Sequence, residues 1–319
     1  MSQKHDRADF LAAFEQAGRS PKKTADILGV SERSVHERLA RIESDNGILL
    51  RNGNGTKAKA VVSRSTRPNP IELHNGVIVV GSDAHYWPGE ATTAHRAFVK
   101  ICKLLGPDIV VMNGDEFDGA SVSRHGPIGW EERPDVWKEI EVLQERLHEI
   151  KMASRNAHHL GTFGNHTIRL DTFLAGHAAQ VRGLFGTKFE DHVPGWAYNW
   201  AYLVNEHTLI KHRLRGGVHA TWNNTSDTHL NTVTGHCHAL QVRPRTTMSP
   251  LNGGTVYGVD TGMLADPWGP QFGYVEQGPR NWRSGFAVLT FNNGQLMPPE
   301  LCQVVAEDLV FFRGNTIQV

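Results

Sequence analysis

Five short segments bring carboxylates, imidazoles and an amide together at close spacing. They are Asp83-Ala-His85, Gly114-Asp115-Glu-Phe-Asp118, Gly164-Asn165-His166, a lone histidine at His212 or His219, and Gly235-His236-Cys-His238. Such side chains make a mixed oxygen and nitrogen shell, suited to Mn²⁺, Fe or Zn²⁺ and not to Ca²⁺ or a thiolate site. Histidine is abundant, 18 residues against three cysteines, and it is both the commonest metal ligand and the side chain that titrates near neutrality. Cys102, Cys237 and Cys302 show no Cys-x-x-Cys spacing, so neither a disulfide framework nor a thiolate zinc site is expected.

Each segment follows an apolar run that reads as a strand. Val77–Val80 precedes the first, Ile109–Met112 the second and His159–Phe163 the third, while Thr208–Lys211 leads into His212 and residues 232–235 into the last. His219 instead follows Gly216-Gly217 at the start of a helix. Helices at Thr92–Leu105 and Pro134–Ala153 separate the first three strands, and further strands are expected at about 198–213, 254–260, 285–292 and 308–313. That succession predicts an α/β layered fold, in which polar groups at strand ends build the site. The stretch Trp196-Ala-Tyr-Asn-Trp200 could stack bases, although core packing is the favoured reading.

The order D-x-H, G-D-x-x-D, G-N-H, lone His and G-H-x-H over residues 76–295 resembles the calcineurin-like metallophosphoesterases, and within them the nuclease branch. The resemblance implies a four-layer αββα metallophosphoesterase sandwich holding two divalent metal ions, Mn²⁺ first and Fe, Zn²⁺ or Mg²⁺ as alternatives. It implies that Asp83, His85 and His238 bind one metal and that Asp115 bridges. Asn165, His236 and either His212 (preferred) or His219 would complete the second. A hydroxide between the metals would attack phosphorus, and His166 would stabilise the transition state or protonate the leaving oxygen. Thr167 departs from the family, which carries an acidic residue there to orient the histidine; Asp118 is the alternative orienting carboxylate. Arg124, His125 and Arg169 are candidate phosphate contacts.

The formal net charge is zero, but residues 1–70 carry 13 Lys/Arg against 8 Asp/Glu, a basic head on an acidic body. Phe10, Leu11 and Phe14 mark a first helix, Lys22–Leu28 a second, and Ser31 caps a third running to about Glu43. The run from Thr24 to Val35 resembles a DNA-binding helix-turn-helix, with Arg33, Ser34, His36, Arg38 and Arg41 as candidate DNA contacts. The organisation expected is a trihelical helix-turn-helix domain at 1–45, a linker at 46–75 and a catalytic domain at 76–319.

Together these readings predict a metal-dependent deoxyribonuclease targeted by its head. The alternatives are a phosphatase or (cyclic) nucleotide phosphodiesterase on a non-DNA substrate, and a DNA-binding regulator with an inactive phosphoesterase domain. DNA is the expected partner, and a homo-oligomer is in keeping with helix-turn-helix habits. The polar N-terminus and the lack of an apolar run near the roughly 20 residues of a membrane span predict a cytoplasmic protein without a membrane partner.

Overall fold

The computed structural model describes residues 7–18, 20–46, 67–247, 254–276, 278 and 281–319, and the chain divides into two units, Met1–Val61 and Val62–Val319. The first unit holds helices α1 (Arg7–Gln16), α2 (Pro21–Leu28) and α3 (Glu32–Asn46). Ser20 caps α2, with Pro21 at its first position, and the Ser31 hydroxyl accepts the N–H of Ser34 at 3.2 Å to start α3. Each cap satisfies a donor that the first helical turn leaves open. Phe10, Phe14, Ala25, Val35, Leu39 and Ile42 fill the space between the three helices.

Of the candidate DNA contacts, Arg33 is exposed and paired with Glu37 at 2.9 Å. Ser34 is exposed, and His36 lies 3.6 Å from Glu32. The Arg38 guanidinium lies over the Phe10 ring, 4.8 Å from its centroid, so that its stem packs as well as carrying charge. The Arg41 side chain and residues 47–66 of the expected linker lie outside the described residues.

The second unit is an α/β sandwich of two mixed sheets. One has the order β1 (Asn69–Ile71), β6 (Tyr202–Val204), β7 (Thr208–Ile210), β8 (Asn231–Thr234), β10 (Gly254–Asp260), β9 (Gln241–Thr247). The other runs β15 (Asn315–Gln318), β14 (Leu309–Phe312), β13 (Glu300–Ala306), β11 (Gly285–Asn292), β2 (Gly76–Gly81), β3 (Ile109–Met112), β4 (His158–Thr162), β5 (Ala197–Asn199), with β12 (Gln295–Leu296) beside β11. Strand β1 falls inside the stretch read as linker: it pairs in parallel with β6, and the Asn205 side chain clamps Leu73 through both its N–H and its C=O, each at 2.8 Å.

Strands β2 and β3 are apolar on both faces, as strands covered on both sides must be. On one face Val79, Val110 and Met112 meet Phe98 and Ile101 of α4 (Thr93–Leu105) and Leu143, Leu147 and Ile150 of α5 (Val136–Ala153). On the other, Ile78, Val80, Ile109 and Val111 meet Val204, Ile210, Val233 and Val259 of the sheet that holds β6, β7, β8 and β10. Helix α6 (Arg169–His177) follows the third motif, and α7 (Ala220–Thr228) lies against β8, β9 and β10. The single strand expected over 198–213 is three short ones. The chain passes from one sheet to the other between β5 and β6, then reverses through left-handed backbone at Asn205 and Glu206. No described helix is long and apolar enough to cross a membrane.

Candidate metal centre

Strands β2, β3 and β4 run parallel, so their C-terminal ends, each followed by a polar motif, share one edge. Strands β7 and β8, also parallel, deliver His212 and the Gly235–His238 segment from the facing sheet. The loops are laced together by backbone hydrogen bonds: Asp83 N–H to Gly114 O, His85 N–H to Asp115 O and Tyr86 N–H to Glu116 O, each 2.9 Å. Asn113 adds a bridge through its side chain, accepting from the Thr162 hydroxyl at 2.9 Å.

Two groups result whose ligand atoms lie within 4.8 Å of one another, Asp83–His85–His238 and Asp115–His212–His236. Asp83 joins them. Its Oδ1 lies 3.0 Å from His238 Nε2, and its Oδ2 accepts the N–H of His236 at 2.8 Å. Asp115 turns Oδ1 to the N–H groups of His166 and Thr167, at 2.7 and 3.2 Å. Its Oδ2 stands 2.9 Å from His212 Nε2, yet that nitrogen makes no aligned hydrogen bond. Close approach without alignment is how two ligands of one cation are disposed. His85 Nε2, His238 Nδ1 and Asn165 Oδ1 are likewise buried without a hydrogen-bond partner among the described residues, and such orphans are uncommon in folded proteins.

The far nitrogens are held. His85 Nδ1 meets Asp118 Oδ1 at 2.7 Å, and His212 Nδ1 meets the carbonyl of Asn113 at 2.8 Å. Carboxylate and carbonyl partners of this kind fix the ring and tautomer of a metal-binding histidine. A third group, His85–Asp118–His166, extends the network. Asp118 Oδ1 also lies 3.0 Å from His166 Nδ1, and Arg169 reaches both the Asp118 carbonyl at 2.9 Å and His166 Nε2 at 3.0 Å.

Electrostatics agree with the geometry. Burial pushes the Asp83 carboxyl up, but His238 and His212 outweigh it and leave it at about 2. Burial and His212 act in the same opposed way on Asp115, which ends well below the usual carboxylate range. Burial lowers the imidazoles of His85 and His236, keeping them neutral as ligands must be. His212 is raised to about 9 despite its burial, because Asp115 and Asp83 face it. Two buried, ionised carboxylates need a compensating charge, which a protonated His212 or a bound cation would supply.

Backbone strain concentrates here. Asp83, His85, Asp115, His236 and His238 all have φ between 40° and 69°, a region that non-glycine residues seldom enter and that clusters at functional sites. The motif glycines make room for the candidate ligands. A Cβ on Gly164 would stand 2.0 Å from Asp115 Oδ1, and one on Gly114 would stand 2.6 Å from His212 Nδ1.

His219 is exposed at the start of α7 and belongs to none of the three groups; the lone histidine brought in is His212. Arg124 and His125 are exposed and bond each other at 3.2 Å, and neither hydrogen-bonds a cluster residue among the described residues. Thr167, which follows His166 where an acidic residue is expected, accepts the Asp115 N–H at 2.9 Å.

Several supporting residues carry no motif spacing. Buried Glu139 of α5 accepts the N–H groups of Gly119 and Ala120 at 2.7 and 3.0 Å, holding the loop after Asp118. Burial, reinforced by Asp118, raises its carboxyl to about 8. Asp260, at the end of β10, accepts the Ala239 and Gly262 N–H groups at 3.1 and 3.0 Å behind His238. A polar residue at a strand end was the available signal for it. The rings of Phe272 and Trp282 stand edge-on to His85 and His238, at 5.1 and 4.4 Å.

No protein-family model matches this chain, and no curated protein matches it.

Proposed function

We propose that the second unit is a calcineurin-like metallophosphoesterase that hydrolyses DNA phosphodiesters, and that the three N-terminal helices act as a helix-turn-helix bringing it to DNA. The observation that carries this reading is the pair of His/Asp groups, Asp83–His85–His238 and Asp115–His212–His236, with Asp83 also accepting the backbone N–H of His236 and with His166 beside them. The packing of helices, sheet, sheet and helix around two apolar layers supports the αββα sandwich.

The donor set fits two divalent cations. One would be held by Asp83, His85 and His238, the other by Asp115, His212, His236 and Asn165. Nitrogen and oxygen donors without thiolate favour Mn²⁺, with Fe, Zn²⁺ and Mg²⁺ as alternatives. When bound, such a pair supplies Lewis acidity to a phosphoryl group and lowers the pKa of water.

The chain's own residues do the rest. The Asp118 carboxylate accepts a hydrogen bond from Nδ1–H of His166, so in the neutral ring Nε2 carries the lone pair, which accepts from Arg169. When His166 is protonated, Nε2–H becomes the donor toward a leaving oxygen. Arg169 then turns its guanidinium to a phosphate, for which its fork geometry suits it. Phe272 and Trp282 limit water beside His85 and His238.

The test is a cleavage assay with Mn²⁺ on labelled single- and double-stranded DNA, using wild type and His166→Ala, with metal content measured in parallel. Cleavage lost in a variant that keeps its metal is the expected result. DNA left intact by the metal-loaded wild type refutes the nuclease reading, and hydrolysis of cyclic nucleotides or a phosphomonoester alone would replace it.

A further inference from the structure

A cavity of about 600 Å³ is lined in part by Phe163, Trp200, Lys211, Arg213, Arg215 and His236. Its size is that of pockets for small organic ligands, roughly 300–1,000 Å³. Because His236 belongs to the Asp115–His212–His236 group, the cavity adjoins the second metal position. Its charge is lopsided. Arg215 is paired with Asp227, and its backbone N–H is fixed by Asn224 Oδ1 at 2.9 Å. Lys211 and Arg213 have no carboxylate partner among the described residues. The Trp200 ring is only partly buried and is propped by the buried Phe163, with centroids 5.2 Å apart.

We infer that this cavity binds one unpaired nucleotide and its flanking phosphates, so that the substrate strand enters the metal centre single-stranded or frayed. A partly exposed indole beside two unpaired cations is the combination that single-stranded nucleic acid uses, base on aromatic face and phosphates on cations. A base still stacked in a duplex cannot lie on Trp200. The stretch Trp196–Trp200 therefore divides its work: Trp196 and Tyr198 are buried in the core, and Trp200 is left for the cavity.

The inference rests on the nuclease reading, and the experiment separates the two. A fluorescent phosphorothioate oligothymidylate of five residues resists hydrolysis and is shorter than a helix-turn-helix half-site. It is titrated into the Mn²⁺-loaded full chain by anisotropy, against a five-base-pair duplex closed by a non-nucleotide linker so that it stays paired. Preference for the single strand is expected. Lys211→Gln/Arg213→Gln should flatten the slope of log affinity against log salt by about 1.4, at about 0.7 for each phosphate no longer neutralised. Trp200→Leu should weaken binding at least about fivefold, and Trp200→Phe should restore most of it. Thermal unfolding of each variant controls for folding, and the charge variants alter side chains outside the core. Unchanged affinity and salt slope in the charge variants, or equal binding of duplex and single strand, overturns the inference even where wild type cleaves DNA. Wild type that binds the oligonucleotide as expected but cleaves no DNA overturns the nuclease reading instead.

Discussion

Asp118 Oδ1 lies 3.0 Å from His166 Nδ1, and the same oxygen lies 2.7 Å from His85 Nδ1. One carboxylate atom thus sets the tautomer of a candidate metal ligand and of a candidate proton donor. Asp118→Ala removes the one oxygen that both Nδ1 atoms face, so neither ring keeps its tautomer or orientation. Mn²⁺ affinity and turnover of bis(p-nitrophenyl) phosphate should each fall about 10–100-fold. Calorimetry of metal binding beside kinetics checks this, and loss of neither would mean that Asp118 is a packing residue.

Gly164→Ala places a methyl 2.0 Å from Asp115 Oδ1, and the carboxylate must move. The expected outcome is weakened binding at the Asp115–His212–His236 position with native far-ultraviolet circular dichroism. Metal analysis after dialysis reads it directly.

Thr167→Val keeps the shape of the side chain but removes the acceptor for the Asp115 N–H. An orphaned buried donor costs about 1–3 kcal/mol, visible as a lower denaturant midpoint.

His159 packs against Trp196 and meets Ser154 Oγ at 3.0 Å. Burial, with the nearby Lys151 and His158 charges, lowers its imidazole to about 4, so between pH 6.5 and 4 the unfolded chain binds this proton and the folded chain does not. The neutral ring's contribution is therefore complete above about pH 6.5 and lost as pH falls through 4. Urea midpoints of wild type should drop over that window more steeply than those of His159→Gln. The difference would be on the order of 3 kcal/mol.

Removing cations should destabilise the second unit, since the buried Asp83 and Asp115 carboxylates would then be compensated only by protonated imidazoles such as His212. Adding Mn²⁺ back at a hundred times its Kd should restore about 2.7 kcal/mol, read as a rise in Tm. A Tm indifferent to Mn²⁺ and to chelator would speak against bound metal.

The ligand motifs were legible because each sits where an apolar run stops, and such runs are strands whatever the topology. The choice between His212 and His219 was not, since both follow β7 closely. It turns on the parallel pairing of β7 with β8 and on the Asn113 carbonyl that receives His212 Nδ1. Glu139 reads in sequence as a solvated charge on an amphipathic helix. Only the fold brings the Gly119 and Ala120 N–H groups to it. Phe272 and Trp282 reach the site from a segment with no ligand spacing, through contacts that are long-range by nature.

Strand β1 was hidden by Arg67-Pro-Asn-Pro70, which reads as a break, yet it closes one margin of its sheet against β6. A protein trimmed to begin at Gly76 would leave the backbone of β6 unpaired along that side. Such an open margin invites strand addition from neighbouring molecules. The shortened chain should therefore self-associate through that margin, and one beginning before Arg67 should not.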